Sequence, residues 1–157
     1  MVIIPEIRFA EPKEEEELRK ILQGYEMDLA GETEDHLIIK DNGQIKAGGK
    51  IVEMKRNCFY LQVMGVAIDS KGEGYGGSLL AEMLKTPWKY SKSTGQEERT
   101  SYQITTVARG KAVNFYKKHG FKPCDYSKIP SPYDVQCLDC PFVEECNPCP
   151  MIIIGGK

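Results

Sequence analysis

The sequence predicts an α/β (α+β) fold in one domain spanning 1–157, and three observations predict it. An apolar run from Phe59 to Ile68, rich in aromatic and β-branched residues, enters a turn containing Gly72, Gly74, Gly76 and Gly77. It leaves the turn as a helix, with Leu79, Leu80, Met83 and Leu84 at helical spacing. The pair Asn42-Gly43 between two apolar runs marks a β-hairpin, because both residues tolerate positive φ. A second β-rich run, Ser101 to Ala108, precedes an amphipathic helix that Gly120 closes.

Ile7-Arg8-Phe9-Ala10 forms a short strand ending at Glu11-Pro12. Pro12 to Tyr25 reads as a helix with Leu18, Ile21, Leu22 and Tyr25 on one face. The run Glu14 to Glu17 suits a helix N-terminus and reads as a solvated face, with Glu15/Arg19 and Glu16/Lys20 at i,i+4 spacing. Gly24 to Glu34 is polar and irregular. Leu37 to Lys40 and Gln44 to Ala47 flank the hairpin turn. Lys50 to Met54 continues the pattern, and Lys55-Arg56-Asn57 turns into the central strand, so three antiparallel strands feed the glycine turn. Pro87 ends the following helix, Ser91 to Thr100 is a polar loop, and Arg109 to Phe121 is a helix with basic residues in its last turn. Pro150 to Ile154 is the final strand.

A formal net charge of -2 and a pI of 5.8 argue against general nucleic-acid binding. No apolar run reaches membrane-span length, and Met1-Val2-Ile3-Ile4-Pro5 lacks the features of a signal peptide, which favours a cytoplasmic protein. In that setting the six cysteines are reduced, metal-bound or redox-active rather than disulfide-paired.

The glycine turn presents backbone N–H groups beside the positive end of a helix dipole, and Lys71 adds a charge. Lys71, Gly72, Gly74, Tyr75, Gly76, Gly77 and Ser78 therefore form a candidate phosphate site. Gly72, Gly74 and Gly77 satisfy the dinucleotide spacing G-x-G-x-x-G, yet about sixty residues precede them and no acidic strand end follows at the expected distance. No Gly-Lys-Ser/Thr of a nucleotide P-loop is present. A turn made only for tightness would leave Lys71 and the helix start without a role.

The stretch Lys71-Gly72-Glu73-Gly74-Tyr75-Gly76, entered from Gly65-Val66, resembles the signature turn Gln/Arg-x-x-Gly-x-Gly/Ala of the GNAT superfamily of acyl-CoA N-acyltransferases. Lys71 keeps the charge of the usual Gln or Arg position without the planar fork. Ala112, Phe115, Tyr116, Gly120 and Phe121 fall in register on the family's second pattern, with Arg109 in place of its Asn. The resemblance implies a twisted, mostly antiparallel mixed sheet flanked by helices, with acetyl-CoA as co-substrate. It implies direct transfer of an acetyl group to a small-molecule or peptide amine in a ternary complex. Met64 and Val66 would pair with pantetheine, Tyr116 would protonate the departing thiolate, and Gly24 to Glu34 would wall the acceptor site. Without the motif, Tyr116 reads as an aromatic core residue.

No carboxylate lies on the central strand between Cys58 and Ile68, so the general base is Glu53 or a held water. Deprotonating an α-amino group at pH 7 costs about 1 kcal/mol, against about 4 to 5 kcal/mol for a lysine, which favours the easier amine.

Cys137-x-x-Cys140 and Cys146-x-x-Cys149 make two knuckles on the segment joining the last two strands, a pattern for zinc and, with less fit, for an iron–sulfur cluster. The five intervening residues are few for a zinc ribbon. The tail also resembles one in bacterial GNAT proteins related to N-acetylglutamate synthase, on Cys137, Cys140, Pro141, Cys146 and Met151, which implies a free amino acid as acceptor. Cys58 reads as a buried small hydrophobe, and His36 and His119 as surface or capping residues. A homodimer is compatible with the sequence. The alternative from another class is a non-catalytic CoA-binding or metal- or redox-sensing module on the same fold.

Overall fold

Strands form where the β-branched and aromatic runs lie, and helices where apolar residues recur every three or four positions. The computed structural model describes residues 5–91, 97–138 and 140–156. The expected N-terminal stretch 1–4 and positions 92–96 of the expected polar loop lie outside the described residues. The chain forms two units, Met1–Val52 with Leu61–Glu97, and Glu53–Tyr60 with Glu98–Lys157.

The first unit contains β1 (Glu6–Phe9), α1 (Glu15–Gln23) after a 3-10 turn at Pro12–Glu14, and β2 (Leu37–Asp41). It also holds most of β3 (Gln44–Lys55), the second part of β4 (Cys58–Val66), α2 (Tyr75–Lys85) and α3 (Pro87–Tyr90). β1 pairs antiparallel with β2 from Glu6↔Lys40 to Phe9↔Leu37. β2 pairs antiparallel with β3, with a register shift at Ile39/Lys40. The order is β1-β2-β3-β4. The Asn42-Gly43 hairpin is present, with φ of 53° and 75°.

The runs Gln44 to Ala47 and Lys50 to Met54 belong to one strand, β3, which continues to Lys55. Gly48 and Gly49 serve packing rather than a turn: a Cβ on Gly48 would collide with Leu18 of α1, and one on Gly49 would meet the Val63 carbonyl at 2.8 Å. Leu18 and Leu22 of α1 are fully buried with Ala10, Ile38 and Ile45, each leucine or isoleucine contributing about 1.5 to 3 kcal/mol.

The expectation that the glutamate run is a solvated face fails at Glu14, whose side chain is only 4% exposed. Its carboxylate takes Arg8 at 2.8 Å and Lys40 at 2.7 Å, and these partners permit its burial. Glu15 and Arg19 do pair, at 3.3 Å. α2 buries Leu79, Leu80 and Met83. No helix of the described residues is long and apolar enough to cross a membrane.

The second unit holds the start of β4, β5 (Ser101–Ala108), α4 (Val113–Lys118) after a 3-10 turn at Gly110–Ala112, β6 (Lys122–Pro123), α5 (Val143–Cys146) and β7 (Cys149–Gly156). β4 runs parallel to β5 over Cys58–Tyr60, paired with Gln103–Thr105. β7 pairs antiparallel with all of β5, from Ser101↔Gly156 to Ala108↔Cys149, and antiparallel with β6 on its other side. The order here is β4-β5-β7-β6. The architecture is a mixed, mostly antiparallel sheet flanked by helices, the class the sequence predicts. Gly120 closes α4 as expected, with φ of 100° and Phe121 N–H donating to the Tyr116 carbonyl at 3.1 Å.

Candidate active site

In the first unit the strand end, the turn and the helix start follow one another without a gap. β4 ends at Val66, a 3-10 turn covers Ile68–Ser70, and α2 begins at Tyr75. Gly72 and Gly74 hold φ of 84° and 89°, with nothing within 4 Å of an added Cβ at either position. These glycines are needed for backbone conformation rather than for room, since a side chain in the left-handed region costs about 1 to 2 kcal/mol.

The helix they start has no side-chain cap at Gly74. Its first internal bond runs from Ser78 N–H to the Gly74 carbonyl at 2.9 Å, so the N–H groups of Tyr75, Gly76 and Gly77 have no partner four residues back within the helix. Donors at such a helix start suit an anion.

Exposed Lys71 lies at the same turn. Its ammonium sits 5.1 Å from the ring centroid of Tyr25, and the Tyr25 hydroxyl reaches the backbone of Val66. Tyr25 therefore brings the strand end and the turn's cation together, a role that a helix-face pattern does not announce. Only the fold shows it, because Tyr25 and Val66 stand 41 positions apart. The Tyr75 side chain turns to the β2–β3 hairpin, where its hydroxyl donates to Asp41 at 2.7 Å. That bond is the main cause of the raised phenol pKa, and it leaves the backbone of Tyr75 as the part suited to an anion. Met64 is buried, 7% exposed, on the same strand.

In the second unit, Tyr116 lies on α4 and is 8% exposed. Its ring meets those of Phe115 and Phe121 edge to face, with centroids 5.3 and 5.4 Å away. Glu53, the candidate base, is bound to Arg99 at 2.6 Å and accepts the Asn57 N–H at 2.7 Å, which ties it to the turn before β4. Tyr60 is buried, 2% exposed, stacks on Tyr133 with centroids 4.1 Å apart, and has its phenol pKa raised chiefly by burial.

All six cysteines are free and half-buried, so Cys58 is less buried than expected. Burial raises the Cys137 thiol pKa, neighbouring Cys146 and Cys140 act in the same direction, and a Tyr126 hydrogen bond opposes them. Among the described residues, no group of three or more His, Cys, Asp or Glu is disposed to hold a metal ion. The expected metal set of Cys137, Cys140, Cys146 and Cys149 is therefore not assembled among the described residues, and α5 takes in Cys146 and the later part of the interval between the knuckles. His36 is fully buried rather than at the surface. Its Nδ1 donates to the Glu32 carbonyl at 2.9 Å, and its Nε2 accepts the Ala30 N–H at 3.0 Å, so it caps a loop.

A strand that runs through a turn with two left-handed glycines into a helix start is an arrangement suited to holding an anion. The acetyltransferase (GNAT) domain family matches residues 32–123, and the chain belongs to that family. No curated protein sequence matches the chain. Among solved structures, it is similar to N-acetylglutamate synthase from Neisseria gonorrhoeae complexed with coenzyme A and N-acetyl-glutamate. That match has a TM-score of 0.75 and 12% identity, and covers 100% of this chain and 36% of that one. The chain thus spans about a third of that enzyme's length. It is similar over nearly full length to Ard1 from Thermoplasma volcanium, with a TM-score of 0.67, 16% identity, and 99% and 100% of the two chains covered. A GNAT-family acetyltransferase from Streptococcus pneumoniae gives a TM-score of 0.61 at 19% identity, over 98% and 100% of the two chains. At these identities the likeness shows the fold.

Proposed function

We propose that the chain is an N-acetyltransferase that moves an acetyl group from acetyl-CoA directly to a primary amine in a ternary complex. The observation that carries this reading is the helix start at Tyr75, whose N-cap is the glycine Gly74 and which follows two glycines at positive φ. Its N–H donors and Lys71 would hold the pyrophosphate, and Met64 and Val66 would pair with pantetheine. In the reaction the uncharged amine nitrogen attacks the thioester carbonyl carbon, the C–S bond breaks, and the sulfur takes a proton from the Tyr116 hydroxyl while the amine gives its proton to the base. A phenol hydroxyl is a proton donor of the kind that role requires.

The acceptor we favour is the α-amino group of a free amino acid. The cysteine tail supports this, through its resemblance to tails of proteins related to N-acetylglutamate synthase. Glu53 spends its oxygens on Arg99 and Asn57, which leaves a held water as base and matches an amine that is easy to deprotonate. A second reading, a CoA-binding sensor without turnover, draws on the six free thiols.

The test is mass-spectrometric detection of acetylated product from acetyl-CoA with a panel of amino acids, polyamines, aminoglycosides and peptides, for the wild type and Tyr116→Phe. Product confined to α-amino acids is expected, with turnover falling about a hundredfold or more in the variant while CoA affinity holds. An unchanged rate would remove Tyr116 from the mechanism, and CoA binding without any product would favour the sensor.

A further inference from the structure

The backbone of Val66 is already engaged. Ala67 N–H donates to the Lys46 carbonyl on β3 at 2.8 Å; because successive residues of a strand direct their polar groups to opposite edges, the N–H and C=O of Val66 point away from β3. There the Tyr25 hydroxyl donates to the Val66 carbonyl at 3.2 Å and accepts the Val66 N–H at 3.4 Å. The ring lies over Gly65, where an added Cβ would stand 3.1 Å from the Tyr25 Cδ2. Lys71 rests on the same ring, 5.1 Å from its centroid. The next residue, Glu26, is held at φ 59°, a left-handed conformation disfavoured for a side-chain-bearing residue. One aromatic residue, fixed beside a strained position, thus occupies the strand end and meets the cation of the turn.

We infer that Tyr25 is a built-in competitor for the strand end: its hydroxyl fills the hydrogen-bonding positions of Val66 until coenzyme A displaces it. This rests on the reading of Val66 and Lys71 as cofactor ligands. A pantetheine amide offers one donor and one acceptor, the same complement the phenol hydroxyl uses, so the two exclude each other. The pyrophosphate draws Lys71 away from the ring, and the nucleotide half of the cofactor thereby loosens Tyr25 for the pantetheine half.

Calorimetric titration of coenzyme A, and of 3′-phosphoadenosine 5′-diphosphate, which keeps the pyrophosphate and lacks pantetheine, into the wild type and Tyr25→Phe tests this. Matched melting temperatures establish that both proteins are folded. The phenylalanine keeps the ring under Lys71 and removes only the hydroxyl. Coenzyme A is expected to bind the variant about fivefold more tightly, with affinity for the pantetheine-free diphosphate unchanged. Equal or weaker coenzyme A binding to the variant overturns the competitor role and leaves the cofactor site standing. Equal tightening of both ligands overturns it as well, by placing the effect at the turn. If coenzyme A binds neither protein, the cofactor reading falls and the competitor role with it.

Discussion

Glu14 gathers four donors: two guanidinium nitrogens of Arg8 at 2.8 and 2.9 Å, the Lys40 ammonium at 2.7 Å and the Glu11 N–H at 2.8 Å. The Arg8 bond, ahead of every other cause, holds its carboxyl well below the usual carboxylate range. Its contribution to stability is therefore complete above about pH 4.5 and is lost as pH falls below that value. His36 acts in a higher window. Burial keeps its folded pKa below 6.5, so the unfolded chain takes up a proton first and stability declines as pH drops through that value. Denaturant titrations across pH should show a shallow loss starting near neutrality and a steeper one in acid. Glu14→Gln should cost about 2 kcal/mol at pH 7 and erase the acid limb; the figure is moderate because Arg8 and Lys40 remain 29% and 24% exposed. Stability that stays flat between about pH 7 and pH 5 would count against His36. The sequence shows four consecutive glutamates that look alike. Only the fold distinguishes Glu14, by bringing Lys40 to it from 26 positions away.

Among the elements, the glycines and helix of the strand-to-helix turn were legible, because positive φ and helix starts leave local marks such as glycine spacing, whereas the strand ends at Val66 rather than Ile68, in a 3-10 turn that the apolar run conceals. β5 was legible to the residue at both ends, Ser101 and Ala108. Within β3, the reason for Gly48 and Gly49 was not legible, since it lies in Leu18 and Val63, which belong to other elements. The turn's conformational demand gives a direct test. Gly74→Ala forces a side chain into φ 89° and should destabilise by about 1 to 2 kcal/mol, while weakening coenzyme A binding through redirected N–H groups. Calorimetry and urea denaturation measure the two effects. Unaltered affinity would remove this helix start from the phosphate site.

For the whole chain, two motifs in sequence order revealed the fold class, whereas the placement of β7 between β5 and β6 left no local trace. Strand order is a long-range property, and apolar strands such as Met151 to Ile154 carry no address. Cysteine spacing is local in the same way: paired knuckles signal a ligand set only if the fold brings the four thiols together, and among the described residues no such group forms. The cysteines have another use. Cys58, Cys124, Cys137, Cys140, Cys146 and Cys149 all fall in the second unit. Burial raises the pKa of Cys124 and Cys137, so at neutral pH these two are thiols, the form that reacts poorly with iodoacetamide. Timed alkylation followed by intact-mass counting therefore clocks the opening of that half of the chain alone. Six labels arriving together mean that it opens as one cooperative body; four arriving early, on 137–149, mean that the cysteine segment peels away before the strands part.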